Sequence, residues 1–246
     1  MMANKTELLT DLLIQLNIKL TDEQISRFMR YYEMLIDTNK VMNLTAITDY
    51  TEVCIKHFAD SLSLINSYDI AQAGDIHILD IGTGEGFPGI PLKIAYPEIN
   101  ITLLDSLSKR VRFLDKVIDE LGLNDRGLIT TADMRAEDYV KEPGKRESYD
   151  LVVSRAVANL RVLSEYALPY VKTGGSFISY KGDNAKEELA ESENAINILG
   201  GEVCDVNEFT LPGSDITRTL INIKKTRPTP DKYPRKAGLP NKKPLL

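Results

Sequence analysis

The chain has 246 residues, 43% hydrophobic and 27% charged, which excludes the disordered and fibrous classes and fits an ordinary folded globule. A globule of this length buries roughly 70 to 75% of its unfolded surface and needs no staples; its two cysteines, Cys54 and Cys204, lie outside any metal-ligand spacing. The net charge of −6 argues against a protein that coats nucleic acid or an anionic membrane, yet residues 222–246 hold eight Lys or Arg and one Asp, a local +7 that leaves −13 elsewhere.

Both cysteines are expected to be small buried residues in a reducing compartment. The opening MMANKTELLTDLL has no apolar core of signal-peptide length, and no stretch approaches 18 apolar residues, so a cytoplasmic location is expected. Residues 5–16 place Leu8, Leu9, Leu12, Leu13 and Leu16 at helical spacing. Thr21 and Gln24 form a capping box, after which Ile25, Phe28, Met29, Tyr32, Leu35 and Ile36 repeat every three to four residues. A third helix over 50–66 turns Val53, Phe58, Leu62 and Ile65 inward. This all-helical prelude gives way at residue 76 to short apolar runs alternating with helical patterns, the grammar of a parallel sheet. Strands are predicted at 76–81, 100–105, 127–132, 149–155, 175–181, 202–209 and 218–225.

A long charged helix is predicted over 184–199, closed by Gly200 and Gly201. Only a short loop with Pro212 and Gly213 joins the last two strands, too short for a crossover, so they pair antiparallel or part in space. The proline-rich basic end, KKTRPTPDKYPRKAGLPNKKPLL, has neither period and should be extended or ordered only by docking. Three units are expected: a helical subdomain over 1–70, an α/β domain over 71–226 and a tail over 227–246.

The chemistry gathers around LDIGTGEGFPGIP, residues 79–91. Gly82 allows a tight turn out of the strand, and Gly84 and Gly86 lack the Cβ that would keep a ligand off the backbone. A dinucleotide fingerprint is GxGxxG, with its third glycine at 87, where this chain has Phe. The GxGxG spacing is instead that of S-adenosylmethionine sites, and a purely structural turn is the alternative. Pro88 is placed to open the next helix. Asp105 ends the second strand 23 residues after Gly82; it either accepts hydrogen bonds from ribose hydroxyls or caps the helix near Ser108. The third strand leads into residues 133–138, where Asp133 is an adenine-side candidate against a plain charged loop.

Strand four ends in SRAV, 154–157, where such a fold presents its substrate-facing groups. The chain has no Asn or Asp followed by ProPro, no ProCys nucleophile and no acid cluster for a metal. An acceptor needing no base, nucleophile or metal is favoured, and guanine N7, whose lone pair is already free, is such an atom. Arg155 is the substrate-side candidate: it can reach guanine O6, a phosphate or the cofactor carboxylate, or serve as a surface ion-pair residue. No residue is assigned as catalytic.

LDIGTGEGFPGIPL, LLDSLSKRVRFL, VSRAVANL, TPDKYPRKAGLPNKKPL, MNLTAI and KHFADSL together resemble the RsmG family, also called glucose-inhibited division protein B, from about residue 20 to the end. The resemblance implies a class I S-adenosylmethionine-dependent methyltransferase fold, Rossmann-like, with a seven-stranded mostly parallel sheet, an antiparallel last strand and an N-terminal helical extension. It implies methylation of N7 of a guanine in 16S rRNA, with that rRNA or a small-subunit precursor as partner. It also implies cofactor contacts at Gly82, Phe87, Ala136, Glu137 and Arg155, and so prefers Glu137 with the Ala136 backbone over Asp133. Asp105 stays the ribose candidate. His57 and Asp60 in KHFADSL are read as a helix lock rather than an acid–base pair. Lys109, Arg110, Arg112 and Lys116 are phosphate contacts or a solvated helix face, and Phe87, Tyr180 and Tyr233 are stacking candidates. The competing readings are a small-molecule methyltransferase, a non-catalytic cofactor-binding scaffold on the ribosome and, last, a nicotinamide-dependent oxidoreductase.

Overall fold

The computed structural model describes residues 2–124 and 126–245, with side chains from residue 5 onward. Helices α1 (Met2–Ile14) and α2 (Asp22–Met42) come first. Thr21 caps α2 with the full box: its hydroxyl accepts from Gln24 N, and the Gln24 side chain accepts from Thr21 N. The predicted third helix is a continuous helical rod over 50–66, but not a uniform one. It runs through α3 (Tyr50–Val53), a π-helical stretch Cys54–Ala59, α4 (Asp60–Leu62) and a 3₁₀ turn Ser63–Asn66.

Seven strands follow, close to their predicted places: β1 (His77–Ile81), β2 (Asn100–Asp105), β3 (Ile129–Asp133), β4 (Tyr149–Arg155), β5 (Val171–Lys181), β6 (Gly201–Thr210) and β7 (Thr217–Lys225). They form one sheet in the order β3-β2-β1-β4-β5-β7-β6, parallel except that β7 runs antiparallel to β5 and β6. Helices α5 (Gly89–Ala95), α6 (Ser108–Glu120), α7 (Ala136–Tyr139) and α8 (Leu160–Ala167) make the crossovers. The order reverses between β1 and β4, and the loops leaving those strands open the crevice where such sheets bind ligands.

Alternating strand residues divide between two apolar cores. Ile78, Ile101, Leu103, Leu151 and Val153 pack with Phe28, Tyr31, Leu35 and Phe58 of the prelude. Leu79, Leu104, Val152, Phe177 and Ile223 pack on the other face with Leu160, Leu163, Tyr170 and Tyr233. The prelude therefore covers one face of the sheet, and the tail joins the other.

Two expectations are corrected. The helix over 184–199 is two short ones, α9 (Ala185–Ala190) and α10 (Glu193–Ile198), broken at Glu191 and Ser192, where the Ser192 hydroxyl bonds back to Glu188 O. Cys204 is exposed on β6, while Cys54 is buried as expected. The tail is ordered by docking, one of the two outcomes expected of it, and ends in a short helix, α11 (Leu239–Lys242). Among the described residues, no helix is long and apolar enough to cross a membrane.

Candidate active site

The loop after β1 is tied down from behind. Gly82 N and Thr83 N both donate to Leu104 O, and Gly84 N donates to Asp105 Oδ2 at 3.0 Å. Tyr31, reaching from α2, donates its hydroxyl hydrogen to Glu85 O at 2.6 Å. The loop is thus fixed by β2 on one side and by the prelude on the other. Pro88 immediately precedes α5.

Two cavities open on this loop. The smaller, about 360 Å³, is lined by Gly82, Asp105, Arg110, Ala136, Glu137 and Tyr166 among others. The larger, about 790 Å³, is bordered by Gly82, Gly84, Phe87, His57, Arg155 and Arg218. Gly82, Arg110, Ala156 and Val157 belong to both. Val157 stands over Gly82 so closely that a Cβ added there would meet its Cγ2 at 2.4 Å. The two cavities adjoin at these shared residues, with the Val157 side chain lying over Gly82.

The predicted cofactor residues are nearly all brought to this cleft. A Cβ on Gly84 would find only Gly82 O, at 4.0 Å, so the space beside it is open. Asp105 is 5% exposed, and its oxygens accept from Gly84 N and Leu107 N while Arg110 stands 3.5 Å away. It does not cap α6, whose N-cap is Leu107 with no side-chain cap bond; it steadies the turn before that helix and faces the smaller cavity. Ala136 and Glu137 form the opposite wall of that cavity. Gly86 lies apart, where a Cβ would meet Ile90, the Tyr31 hydroxyl and Leu114 within 3.0 Å. Its bareness serves the contact with the prelude. Asp133 is exposed at the end of β3 and lines neither cavity.

These observations fit S-adenosylmethionine. The open cradle at Gly84, the carboxylate at the end of β2 and the elongated two-chambered cleft are what an adenosine joined to an amino-acid arm requires, and Val157 is a soft obstacle between the chambers.

Arg155 leaves β4 into a buried polar cluster. Its Nη1 donates to Asp60 Oδ2 at 2.8 Å and Lys56 O at 2.7 Å, and its Nη2 lies 3.1 Å from His57 Nδ1. Asp60, 0% exposed, gives its other oxygen to Arg218 Nε at 3.0 Å. An arginine only donates, so His57 Nδ1 accepts and its proton sits on Nε2, 3.4 Å from Thr45 Oγ1. Burial, with Arg155 as the next cause, pushes the imidazole down to about 3. The neutral ring stacks on Phe87 at 4.4 Å and 10°, and the Arg155 guanidinium covers the same ring at 5.1 Å. Asp80, beneath the loop, accepts from Gly89 N at 2.9 Å and is raised by burial to about 7.

Of the stacking candidates, Phe87 and Tyr180 are 3% and 4% exposed at the wall of the larger cavity, and Tyr233 is 7% exposed and packed in the core beneath α8. On α6, Arg110 enters the cleft, while Lys109, Arg112 and Lys116 are exposed along the helix. Sequence reasoning missed Val157, Tyr166 and Arg218. Val157 stood inside the quoted SRAV, but nothing in a strand end tells which side chain will lie over a glycine. Among the described residues, no group of three or more His, Cys, Asp or Glu could hold a metal.

Residues 24–218 match the family described as GidB, rRNA small subunit methyltransferase G. A protein of Alkaliphilus metalliredigens named ribosomal RNA small subunit methyltransferase G is 51% identical over 231 residues, covering 94% of this chain and 95% of its own. One of the same name from Lactobacillus johnsonii is 47% identical over 233 residues, covering 95% and 96%. Among solved structures, a geranyl diphosphate C-methyltransferase of Streptomyces coelicolor, complexed with S-adenosyl-L-homocysteine, superposes with a TM-score of 0.51 at 13% identity, over 68% of this chain and 78% of its own. A variant 16S rRNA (adenine(1408)-N(1))-methyltransferase of Catenulisporales acidiphilia gives 0.51 at 15% identity, over 64% and 88%. At such identities the two structures speak for the fold alone, a class I methyltransferase sheet. With the family match over most of its length and relatives near half identity end to end, the chain belongs to the GidB family, rRNA small subunit methyltransferase G.

Proposed function

We propose that this chain, by family an S-adenosylmethionine-dependent methyltransferase of small-subunit rRNA, places the methyl on N7 of a guanine in 16S rRNA. It acts in the cytoplasm, on that rRNA or on a precursor of the small subunit. The observation that carries the mechanism is the engaged state of the groups around the larger cavity. His57 is neutral, buried and held at Nδ1 by Arg155. Asp60 is bridged by two arginines. Both are committed to the cluster, so neither suits the role of general base, and guanine N7 needs none because its lone pair is already free.

When bound, S-adenosylmethionine supplies an electrophilic methyl carried on a sulfonium. Gly82, Asp105, Ala136 and Glu137 would hold the nucleoside end, and Gly84, Phe87 and Arg155 the end nearer the acceptor. The residues' task is alignment, with nitrogen and carbon about 3 to 3.5 Å apart and the sulfur in line. Lys56, Arg110, Arg155, Lys181 and Arg218 border the larger cavity beside Asp60, Glu85 and Glu188, five cations against three acids, and that surplus favours an RNA phosphate backbone there.

The test is turnover with labelled cofactor on small-subunit particles from a strain lacking the activity, beside metabolite pools. Label in rRNA, with a single-turnover rate constant that stays flat above neutral pH, is expected. Label in metabolites alone, or a rate rising tenfold per pH unit as a base ionises, would overturn the proposal.

A further inference from the structure

The basic proline-rich tail, set apart in the sequence as an RNA arm, has its best-anchored contacts inside the protein. Glu147 Oε1 accepts from Thr229 N and from Lys225 Nζ, a lysine 0% exposed. Arg146 donates to Thr229 O and Tyr233 O at 2.7 and 2.8 Å. Arg235 grips Glu165, 1% exposed on α8, through Nε and Nη2, and its backbone N–H adds a further bond at 2.8 Å. Gly238, at φ +79°, then turns its N–H onto Glu137 Oε1 at 2.8 Å.

Glu137 is a wall residue of the smaller cavity and is 3% exposed. Its neighbour Ala136 is held from the same side, because the Tyr170 hydroxyl donates to Ala136 O. Tyr166, which also lines the cavity, follows Glu165 on α8. The tail thus fastens two walls of one chamber, one through Gly238 and one through Arg235. Burying a carboxylate this deeply costs free energy unless it is hydrogen-bonded, and the Gly238 amide donates such a bond to Glu137.

We propose that the C-terminal segment 229–240 is a brace of the cofactor cavity, with Gly238 and Arg235 as positioning residues for S-adenosylmethionine through Glu137 and Glu165. This rests on the reading of that chamber as the nucleoside end of the cofactor site. The brace acts on cofactor affinity, whereas a tail serving only as an RNA arm would act on RNA affinity alone.

The test is calorimetry with S-adenosylhomocysteine on full-length protein. Gly238→Pro removes the N–H donor, and Arg235→Ala removes the grip on Glu165. Each is expected to weaken binding about tenfold, the effect of losing a hydrogen bond to a charged group, and to raise KM for S-adenosylmethionine more than it lowers kcat. Lys236→Glu, at an exposed neighbour, should leave cofactor binding unchanged. Hydrogen exchange on the unaltered protein covers the case in which a variant folds poorly: S-adenosylhomocysteine should slow exchange at 135–139 and at the Gly238 amide together. Protection of 135–139 with no change at Gly238, or folded variants binding as tightly as the parent, would overturn the brace alone. A parent protein that does not bind the cofactor product would overturn the site reading with it.

Discussion

Gly84 and Gly86 are two residues apart and serve different ends. Both have positive φ, +61° and +109°, so any side chain there costs roughly 1 to 2 kcal/mol of backbone strain. At Gly84 the space beyond is open cleft. Gly84→Val is therefore expected to abolish cofactor binding by calorimetry while losing only about 1 to 2 kcal/mol of stability, that strain alone, by urea titration. At Gly86 the space holds Tyr31, Ile90 and Leu114, so Gly86→Val should lose about 2 to 4 kcal/mol of stability by the same urea titration, strain and overpacking together. The opposite ranking of the two stability losses would show that the glycines had been assigned to the wrong sides.

His57 makes stability depend on pH with a definite sign. Its folded value, about 3, lies below the ordinary 6.5, so between those limits the unfolded chain binds a proton that the native protein refuses. Stability is then lost as pH falls below about 6.5. Asp80, raised to about 7, acts the other way: it is protonated in the native state first, and its contribution is lost as pH rises from its ordinary value of 3.8 toward 7. Chemical denaturation of His57→Gln between pH 4 and 7 should lack the acid-side loss. A parent and variant with parallel profiles would contradict this.

At the scale of elements, the apolar runs and their turn residues made the strands legible, because a buried parallel strand is written locally. The capping box of α2 was equally local. Gln24 also joins α2 to the end of α5, donating to Ile94 O and Ala95 O at 2.9 Å. Thr21→Ala should cost about 1 kcal/mol, and Gln24→Ala up to about 2 kcal/mol because those carbonyls lose a partner as well. Equal losses by urea denaturation would remove the second role. The π-helical stretch at Cys54–Ala59 was not legible, since a ladder shifted by one residue leaves no mark on hydrophobic spacing. Neither was the cluster around Asp60. Its partners Arg155 and Arg218 lie 95 and 158 positions away, and a lone acid in a helical pattern gives no sign of which cations will reach it. Where the tail docks was not legible for the same reason, because its partners are acids far back in the chain.

Across the whole molecule, the polarised charge is partly internal. Of the tail's basic residues, Lys225 is buried on Glu147, Arg235 is held by Glu165 and Arg227 is bonded to Asn197 O. Lys224, Lys232, Lys236, Lys242 and Lys243 remain exposed. Those five are the ones left for phosphates. Lys236→Glu is expected to weaken RNA binding most at low salt and to lower the salt slope by about one. An unchanged RNA affinity at low salt would take the tail out of the interface.

The central claim concerns a single atom. Small-subunit rRNA methylated by the purified protein, then reduced with borohydride and treated with aniline, breaks where a guanine carries a methyl on N7. One discrete break, present only with active protein and cofactor, is the result expected. Label incorporated into 16S rRNA with no break, or recovered after digestion as a methylated nucleoside other than 7-methylguanosine, would contradict it.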